Sequence, residues 1–242
     1  MKIDYTRYYL KWHQDTPEHV QHMIAYYRRL LDNYFTGSRD VKILDVGCGM
    51  GFAIMMLKEI GYTNVYGVES DQGQVDSCCS KGLKVDYTED TIKYLKNRQG
   101  AFDMILSIDV IEHIPVDVQL GFVDAISAAL RSNGRFICSV PNANSAIASR
   151  WRYNDWTHHS SFTEHSLDFL LYNGGFDEIE VVPSEMIEKP ANAWLPLGAG
   201  KHWWLFRFFR IWRRLQMMAE LGPQQGRGVP LSLNLLASST KK

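Results

Sequence analysis

Three glycines separated by single residues follow a short apolar run in the stretch VKILDVGCGMGFAI, residues 41–54. A tight strand-to-helix turn needs glycine where φ is positive and where the backbone must approach a ligand closely. Gly47, Gly49 and Gly51 meet both needs, although strand-to-helix turns that bind no ligand also tolerate such a triad. Glu69, about 20 residues downstream, can accept hydrogen bonds from two ribose hydroxyls. Triad and acid together predict a nucleoside site.

Asp45, two residues before the first glycine, narrows the class of nucleoside. A turn that binds a pyrophosphate usually has the spacing Gly-x-Gly-x-x-Gly, whereas this chain has Gly-x-Gly-x-Gly. A carboxylate would repel a diphosphate, but it suits a ligand that carries ammonium and sulfonium charges. These two features disfavour a dehydrogenase with a nicotinamide cofactor.

Alternating strands and helices must position these residues. Strands are predicted at 41–46, 64–69, 83–87, 102–108, 134–140, 178–182 and 231–237, and helices at 51–60, 71–80, 90–97 and 116–131. Thr16 is predicted as the N-cap of an earlier helix that runs to about Phe35. The pattern predicts an α/β fold with a doubly wound, seven-stranded, mostly parallel sheet, whose ligands bind beyond the carboxyl ends of the strands.

The domain organisation follows from length and pattern. The 242 residues are predicted to form one domain with an N-terminal helical segment over 1–37 and a helical insertion over 183–228. A net charge of −1 argues against a nucleic-acid partner. Four cysteines without a disulfide-like spacing, and an N-terminal stretch without an apolar run, predict a cytoplasmic protein.

In these motifs the sequence resembles the class I S-adenosylmethionine-dependent methyltransferases. LDVGCGMG is similar to their first motif, VYGVES to their second, and FDMILSIDVIEHI to their fourth-strand segment, so the resemblance covers about residues 40–182. The later THH..FT and LLYNGGF narrow it to the branch that contains the ubiquinone-biosynthesis O-methyltransferase and enzymes of bacterial surface-polysaccharide clusters. A Rossmann-like fold and the cofactor S-adenosylmethionine, with S-adenosylhomocysteine as product, are what the resemblance implies.

The resemblance also implies eight cofactor-binding residues: Asp45, Gly47, Gly49, Gly51, Glu69, Asp90, Ile108 and Asp109. By this resemblance, the glycines surround the methionine and ribose portion of the cofactor. Asp45 reaches its amino group, directly or through water, and Glu69 holds its ribose hydroxyls. Asp90 contacts the adenine amino group, with Asp86 or Glu89 as alternative matches. A helix N-cap is the structural alternative for Asp90.

Histidines are the residues expected to act on the acceptor. The sulfonium is an activated methyl donor, so alignment supplies most of the acceleration, but an acceptor hydroxyl must still lose a proton. His158, or failing that His113, is predicted to take that proton near neutral pH. The spacing of Asp109, Glu112 and His113, with His158 as a distant fourth ligand, could also hold a divalent metal. The alternative is that Glu112 and His113 cap a helix and orient the loop, so no metal is included in the prediction.

An acceptor pocket is predicted in the segment PNANSAIASRWRYNDWTHHSSFT. Its aromatic, basic and acidic side chains suit stacking on a sugar and hydrogen bonding to it. The residues predicted to bind the acceptor are Arg152, Tyr153, Asp155, Trp156 and His159. The alternative is a surface loop packed by Trp151 and Trp156.

The stretch 201–220 is predicted to be an amphipathic helix with five basic residues and one acid, a net charge of +4. Arg207, Arg210 and Arg214 share one face, and Trp204 and Phe208 belong to the other. Such a helix suits contact with an anionic membrane at its inner face, and the alternatives are a lid or a subunit interface.

The sequence therefore predicts an O-methyltransferase of polysaccharide biosynthesis, acting on a hydroxyl of a sugar or surface-glycan precursor. The alternative acceptor is a phenol or lipid quinone at the membrane surface. A non-catalytic cofactor-binding module would retain the glycines and Glu69 but would need no histidines at the rim.

Overall fold

A computed structural model describes residues 5–184, 189–190 and 199–242. Residues 1–4 of the predicted N-terminal segment, and residues 185–188 and 191–198 of the predicted insertion, lie outside the described residues. The seven strands are β1 Ile43–Val46, β2 Val65–Glu69, β3 Val85–Tyr87, β4 Phe102–Ile108, β5 Leu130–Pro141, β6 Phe176–Ser184 and β7 Asn234–Lys241.

The helices that accompany these strands are α1 Tyr5–Tyr9, α2 Pro17–Leu31, α3 Phe52–Glu59, α4 Gln72–Ser80, α5 Thr91–Lys96, α6 Val116–Ala129, α7 Ala148–Asn154, α8 Glu164–Asn173, α9 Ala199–Leu221 and α10 Pro223–Gly228. Short 3₁₀ turns cover Asp32–Tyr34 and Ile111–His113. In the described part of the chain, no helix is long and apolar enough to cross a membrane.

The strands form a single sheet in the order β3-β2-β1-β4-β5-β7-β6, in which β7 runs antiparallel to both of its neighbours. The predicted doubly wound, mostly parallel sheet is confirmed. Because the other strands are parallel, the carboxyl ends of β1, β2, β4 and β5 meet at one edge of the sheet. The chain also enters β7 at this edge, since Asn234 pairs with both Pro141 and Ser184.

Two apolar clusters, one on each face of the sheet, make up the core. One contains Phe122 and Ile126 of α6 and Leu167 of α8, packed on strand residues such as Phe136. The other packs α2, α3 and α4 against the opposite face. Helices on both faces fix the sheet, and its carboxyl edge is where folds of this class bind their ligands.

Side-chain caps mark where several of the helices begin. Thr16 accepts a hydrogen bond from the backbone N of His19 at 3.3 Å and caps α2, as predicted. The helix gives way to a 3₁₀ turn after Leu31 rather than reaching Phe35. Asp71 and Thr163 cap α4 and α8 in the same manner.

The largest difference in a strand concerns β7, predicted at 231–237 and found at Asn234–Lys241. The apolar run ends at Ala237, yet the strand continues through Ser238 and Ser239. Because β7 lies between β5 and β6, its backbone is paired on both sides whatever the polarity of its side chains.

Candidate active site

The glycine triad forms the turn between β1 and α3. Gly47, Gly49 and Gly51 have φ values of 70°, 55° and 79°, a region that favours glycine. A Cβ on Gly51 would lie 2.4 Å from Cδ1 of Leu83, and one on Gly47 would lie 2.6 Å from Cγ2 of Val110. Both conformation and space therefore require glycine here.

Glu69 ties this turn to the end of β2. Its Oε2 accepts a hydrogen bond from the backbone N of Gly49 at 3.0 Å, while Oε1 accepts from the backbone N of Ser70 at 2.7 Å and of Asp71 at 3.0 Å. The side chain is nearly buried. These backbone donors fix the carboxylate at the sheet edge where the ribose contact is predicted.

Asp45 is buried near the end of β1. Burial raises the pKa of its carboxyl from 3.8 to about 7, and the nearby Glu69 adds to the shift. A cation bound next to Asp45 would reverse this shift, because it favours the charged form. The electrostatics of the site thus fit a positively charged ligand.

Tyr9 and Gln74 approach the glycine turn, and neither was predicted as a site residue. The Tyr9 hydroxyl lies 2.9 Å, and Oε1 of Gln74 3.1 Å, from the position that a Cβ on Gly49 would take. Oε1 of Gln74 is buried without a hydrogen-bond partner among the described residues. The Tyr9 ring packs on that of His13, with centroids 4.4 Å apart. No sequence spacing links α1 to the turn, so only tertiary structure reveals this contact.

Asp90 takes the structural role that the sequence offered as an alternative. Its Oδ1 accepts a hydrogen bond from the backbone N of Lys93 at 2.9 Å, so it caps α5, and it is exposed. The alternative Asp86 accepts from Tyr94 and Arg98. An adenine contact at Asp90 stays a prediction.

Ile108 and Asp109 end β4 at the same edge. Ile108 is buried, and Asp109 adopts a φ of 56°, a left-handed conformation that is uncommon outside glycine and recurs at functional sites. Its Oδ1 accepts hydrogen bonds from Oγ of Ser139 at 2.6 Å and from Nδ2 of Asn234 at 2.9 Å. Burial raises the pKa of Asp109, and these two hydrogen bonds oppose the shift.

His113 and His158 come together at this rim, with ring centroids 4.6 Å apart. Nδ1 of His113 lies 2.7 Å from Oγ1 of Thr157, whose hydroxyl is 2.7 Å from Oδ1 of Asp155. Because that hydroxyl donates to the carboxylate, it accepts from Nδ1–H of His113, and Nε2 then carries the lone pair. The chain Asp155–Thr157–His113 therefore sets the tautomer of the imidazole.

Burial keeps both imidazoles neutral. It lowers the pKa of His113 from 6.5 to about 4, and the proximity of His158 adds to the shift. Burial also lowers the pKa of His158, while Asp155 opposes that change. Neutral imidazoles can accept a proton at pH 7.

Glu112 completes a group that fits a divalent cation. One ligand atom from each of Glu112, His113 and His158 lies within 4.8 Å of the others. Oε2 of Glu112 and Nδ1 of His158 are buried without hydrogen-bond partners among the described residues. Burial raises the pKa of Glu112 well above its usual range, and a cation would favour its charged form. One carboxylate and two imidazoles suit a transition-metal ion.

Asp109 does not belong to this group, although the sequence suggested it as a ligand. The alternative in which Glu112 and His113 cap a helix is also wrong, since Pro115 is the N-cap of α6 and both residues lie in the preceding 3₁₀ turn. The backbone O of Glu112 does orient the neighbouring loop, because it accepts a hydrogen bond from the backbone N of His159 at 2.6 Å.

The predicted acceptor residues separate into two groups. Asp155 is buried and belongs to the hydrogen-bonded series Asp155–Thr157–His113. Tyr153 and Trp156, in contrast, are 77% and 91% exposed. Arg152 lies over the Tyr153 ring, 5.0 Å from its centroid, and His159 is exposed. The alternative of a surface loop packed by Trp151 and Trp156 is wrong for the exposed Trp156, whereas Trp151 is half-buried and its Nε1 donates a hydrogen bond to Oδ1 of Asn234 at 2.8 Å. Contact of the exposed side chains with an acceptor stays a prediction.

Comparisons with known proteins identify the family and the fold. Residues 6–181 match a family model described as a methyltransferase domain. The ubiquinone biosynthesis O-methyltransferase of Bartonella tribocorum is 34% identical over 107 residues, which cover 43% of this chain and 42% of that protein. The protein of the same name from Ruegeria pomeroyi is 26% identical over 157 residues, covering 58% and 61%. The chain thus spans between about two fifths and three fifths of the relatives' length.

Solved structures share the fold. A SAM-dependent methyltransferase from Archaeoglobus fulgidus superposes with a TM-score of 0.68 at 19% identity, covering 99% of this chain and 100% of that one. A phosphoethanolamine N-methyltransferase of Haemonchus contortus in complex with S-adenosyl-L-methionine has a TM-score of 0.59 at 15% identity, covering 97% and 59%.

Proposed function

Because the chain belongs to the methyltransferase domain family, we propose that it is an O-methyltransferase that moves the methyl group of S-adenosylmethionine to a hydroxyl of a phenol or lipid quinone. The observation that carries this proposal is the pair of neutral imidazoles, His113 and His158, held beside the end of β4. A non-catalytic module would have no use for such a pair.

The cofactor site is proposed along the carboxyl ends of β1, β2 and β4. Asp45 faces the ammonium and sulfonium charges, the glycine turn gives the backbone close approach, and Glu69 accepts from the ribose hydroxyls. Tyr9 and Gln74 close the site above Gly49. When bound, S-adenosylmethionine supplies an activated methyl group on a sulfonium.

Proton removal is assigned to the imidazole pair. As the acceptor oxygen attacks the methyl carbon, its proton passes to an imidazole nitrogen, while the electron pair of the broken carbon–sulfur bond stays on sulfur. His158 is the first candidate, as the sequence predicts. His113 is the second, because the Thr157–Asp155 chain leaves its Nε2 able to accept a proton.

The relatives favour a phenol or quinone over a sugar as the acceptor. The names of the matched curated proteins specify ubiquinone biosynthesis, and nothing in the comparisons supports the glycan acceptor that the sequence favoured. The exposed Tyr153 and Trp156, which precede His158 in the chain, suit a sugar ring as well as a phenol ring, since both kinds of ring stack on aromatic side chains.

A divalent cation would be held by Glu112, His113 and His158. Oε2 of Glu112 and Nδ1 of His158, which are buried without a hydrogen-bond partner among the described residues, fit such a cation. When bound, it would lower the pKa of the acceptor hydroxyl as a Lewis acid. With the cation bound, the same three residues would position the oxygen that loses its proton, and the two coordinated imidazoles would not be the groups that take it.

A methyl-transfer assay tests the proposal. The protein is incubated with S-adenosylmethionine and catechols, polyprenylated phenols, nucleotide sugars or glycans, and the product position is read by mass spectrometry. We expect methylation of the phenolic acceptors. Methylation of the sugars alone would overturn the acceptor class, and no transfer to any hydroxyl would overturn the O-methyltransferase assignment.

The variants His158→Ala and His113→Ala test the assigned roles. Each should lower turnover about 100-fold or more while leaving cofactor affinity unchanged. His165→Ala, a change at an exposed histidine on α8, is the matched control and should retain turnover. Unchanged turnover in both site variants would refute proton transfer at this pair.

A further inference from the structure

Helix α9 presents an apolar face to solvent. Seven of its large apolar side chains are between 45% and 61% exposed: Trp204, Leu205, Phe208, Phe209, Ile211, Trp212 and Leu215. At 3.6 residues per turn they occupy one arc of about 160°. Contiguous exposed apolar surface of this kind marks an interaction site.

The inner face of α9 is the one that carries arginines. Arg210 and Arg214 are only partly exposed, and Nη1 of Arg214 donates hydrogen bonds to the backbone O of Gly226 at 2.8 Å and of Val229 at 2.6 Å. Arg213, also partly exposed, lies between this face and the apolar one. Within the described residues, the neighbour that packs along this face is α10. The sequence pattern predicts an amphipathic helix without saying which face meets the protein, so the outward orientation of the apolar face is a finding of the structure.

The position of α9 relates this face to the active site. The segment that contains α9 and α10 leaves the sheet after Ser184 and returns at Asn234, which are paired in the sheet. Asn234 also donates a hydrogen bond to Asp109. The helix therefore belongs to a segment that begins and ends at the edge where the site lies.

Charge selects the kind of partner. Over its 23 residues, α9 has five basic residues and one acid, a net charge of +4, and Arg207 and Arg213 border the apolar arc. A second copy docked face to face would bring two such helices together, which repulsion disfavours. An anionic lipid surface offers both complementary charge and an apolar layer for tryptophan and phenylalanine.

We propose that α9 docks the protein on an anionic phospholipid surface, with the Trp204–Leu215 face in the boundary between headgroups and acyl chains. The helix, about 35 Å long, lies in the plane of that surface. Arg207 and Arg213 reach the lipid phosphates from either border of the apolar face. This docking does not depend on which acceptor the site methylates.

Co-sedimentation of the full chain with vesicles tests the proposal. We expect binding to vesicles of phosphatidylcholine mixed with phosphatidylglycerol, weak binding to phosphatidylcholine alone, and a loss of binding as salt is raised. Three of the seven tryptophans lie on α9, so their emission should shift to the blue when the vesicles bind. Equal binding to both vesicle types, or to neither, would overturn the proposal.

Two double variants separate the apolar and the charged contributions. Phe208→Gln with Trp212→Gln should lower the partition coefficient about tenfold or more. Arg207→Gln with Arg213→Gln should lower it about fivefold for each charge and reduce its salt dependence. Phe169→Gln, at an aromatic residue of α8 that is 70% exposed, is the matched control and should bind as the wild type does.

The oligomeric state provides a second readout that does not need vesicles. Circular dichroism first checks that the variants fold; Arg207, Phe208 and Trp212 are exposed, and Arg213 is partly exposed. Light scattering after size exclusion then measures the mass. A wild-type dimer that becomes a monomer in the Phe208/Trp212 variant, together with vesicle binding unaffected by that change, would assign the face to a second copy and refute lipid docking.

Discussion

The affinity for S-adenosylmethionine should depend on the ionisation of Asp45. Burial raises the pKa of this carboxyl to about 7 in the free protein, and a cationic ligand favours its charged form. Binding below pH 7 must therefore displace the Asp45 proton. With a pKa of about 7, about one half of Asp45 is ionised at pH 7, about one tenth at pH 6 and about one hundredth at pH 5.

The dissociation constant should rise accordingly as the pH falls. We expect an increase of about fivefold from pH 7 to 6 and of about tenfold more from pH 6 to 5, until the affinity of the protonated form is reached. The ligand's own α-amino group stays charged over this range, since such groups titrate near 7.7–8.0. The pKa values of the neighbouring Tyr9 and Tyr27 are raised, so both stay protonated.

Isothermal titration calorimetry measures both the affinity for the cofactor and the number of protons released when it binds. At pH 6, titrations in buffers of different ionisation enthalpy should show the release of nearly one proton for each cofactor bound. Asp45→Asn, which retains shape but cannot ionise, should bind with an affinity that is flat over pH 5–7 and should approach the wild type at pH 5. This variant is needed because the pKa values of Asp109 and Glu112 are also raised. A flat wild-type profile, or the same slope in Asp45→Asn, would refute the assigned role of the carboxylate.

Three further predictions concern the turn, the imidazole and the cation. Gly51→Ala should lower the free energy of unfolding in urea by about 2 kcal/mol or more, because the strain of a positive φ adds to the steric clash with Leu83. Gly100→Ala, where φ is 59° and the space around is open, is the control and should lower it by about 1 kcal/mol. Thr157→Val should reduce turnover about tenfold without changing cofactor affinity, because it removes the partner that sets the His113 tautomer; a parallel loss of affinity would contradict this. A chelator should leave turnover unchanged, because an imidazole nitrogen that takes the acceptor proton cannot hold a cation at the same time; a loss of about tenfold or more that added Zn²⁺ or Mn²⁺ restores would assign the two imidazoles to metal binding instead.

The sheet, and the edge of it that is proposed to bind the ligand, could be predicted from the sequence because both depend on local signals. Glycines after an apolar strand, and an acid at the end of the next one, predict the turn wherever that turn lies in space. The packing of Tyr9 and Gln74 on the turn could not be predicted in this way, since α1 and α4 reach Gly49 only through the tertiary fold. The same holds for α9, whose pattern predicts an amphipathic helix but does not say which face meets the protein.

Asn234 shows why the two halves of the site are best considered as one unit. Its Nδ2 donates a hydrogen bond to Asp109 at the end of β4, and its Oδ1 accepts one from Nε1 of Trp151 on α7 at 2.8 Å. The amide thus joins the strand beneath the proposed cofactor site to the helix that precedes His158. Because β7 places Asn234 between β5 and β6, the sheet itself holds this amide in position. Under the proposed function, this amide would therefore help to align the methyl donor with the acceptor through contacts that the packed core holds in place.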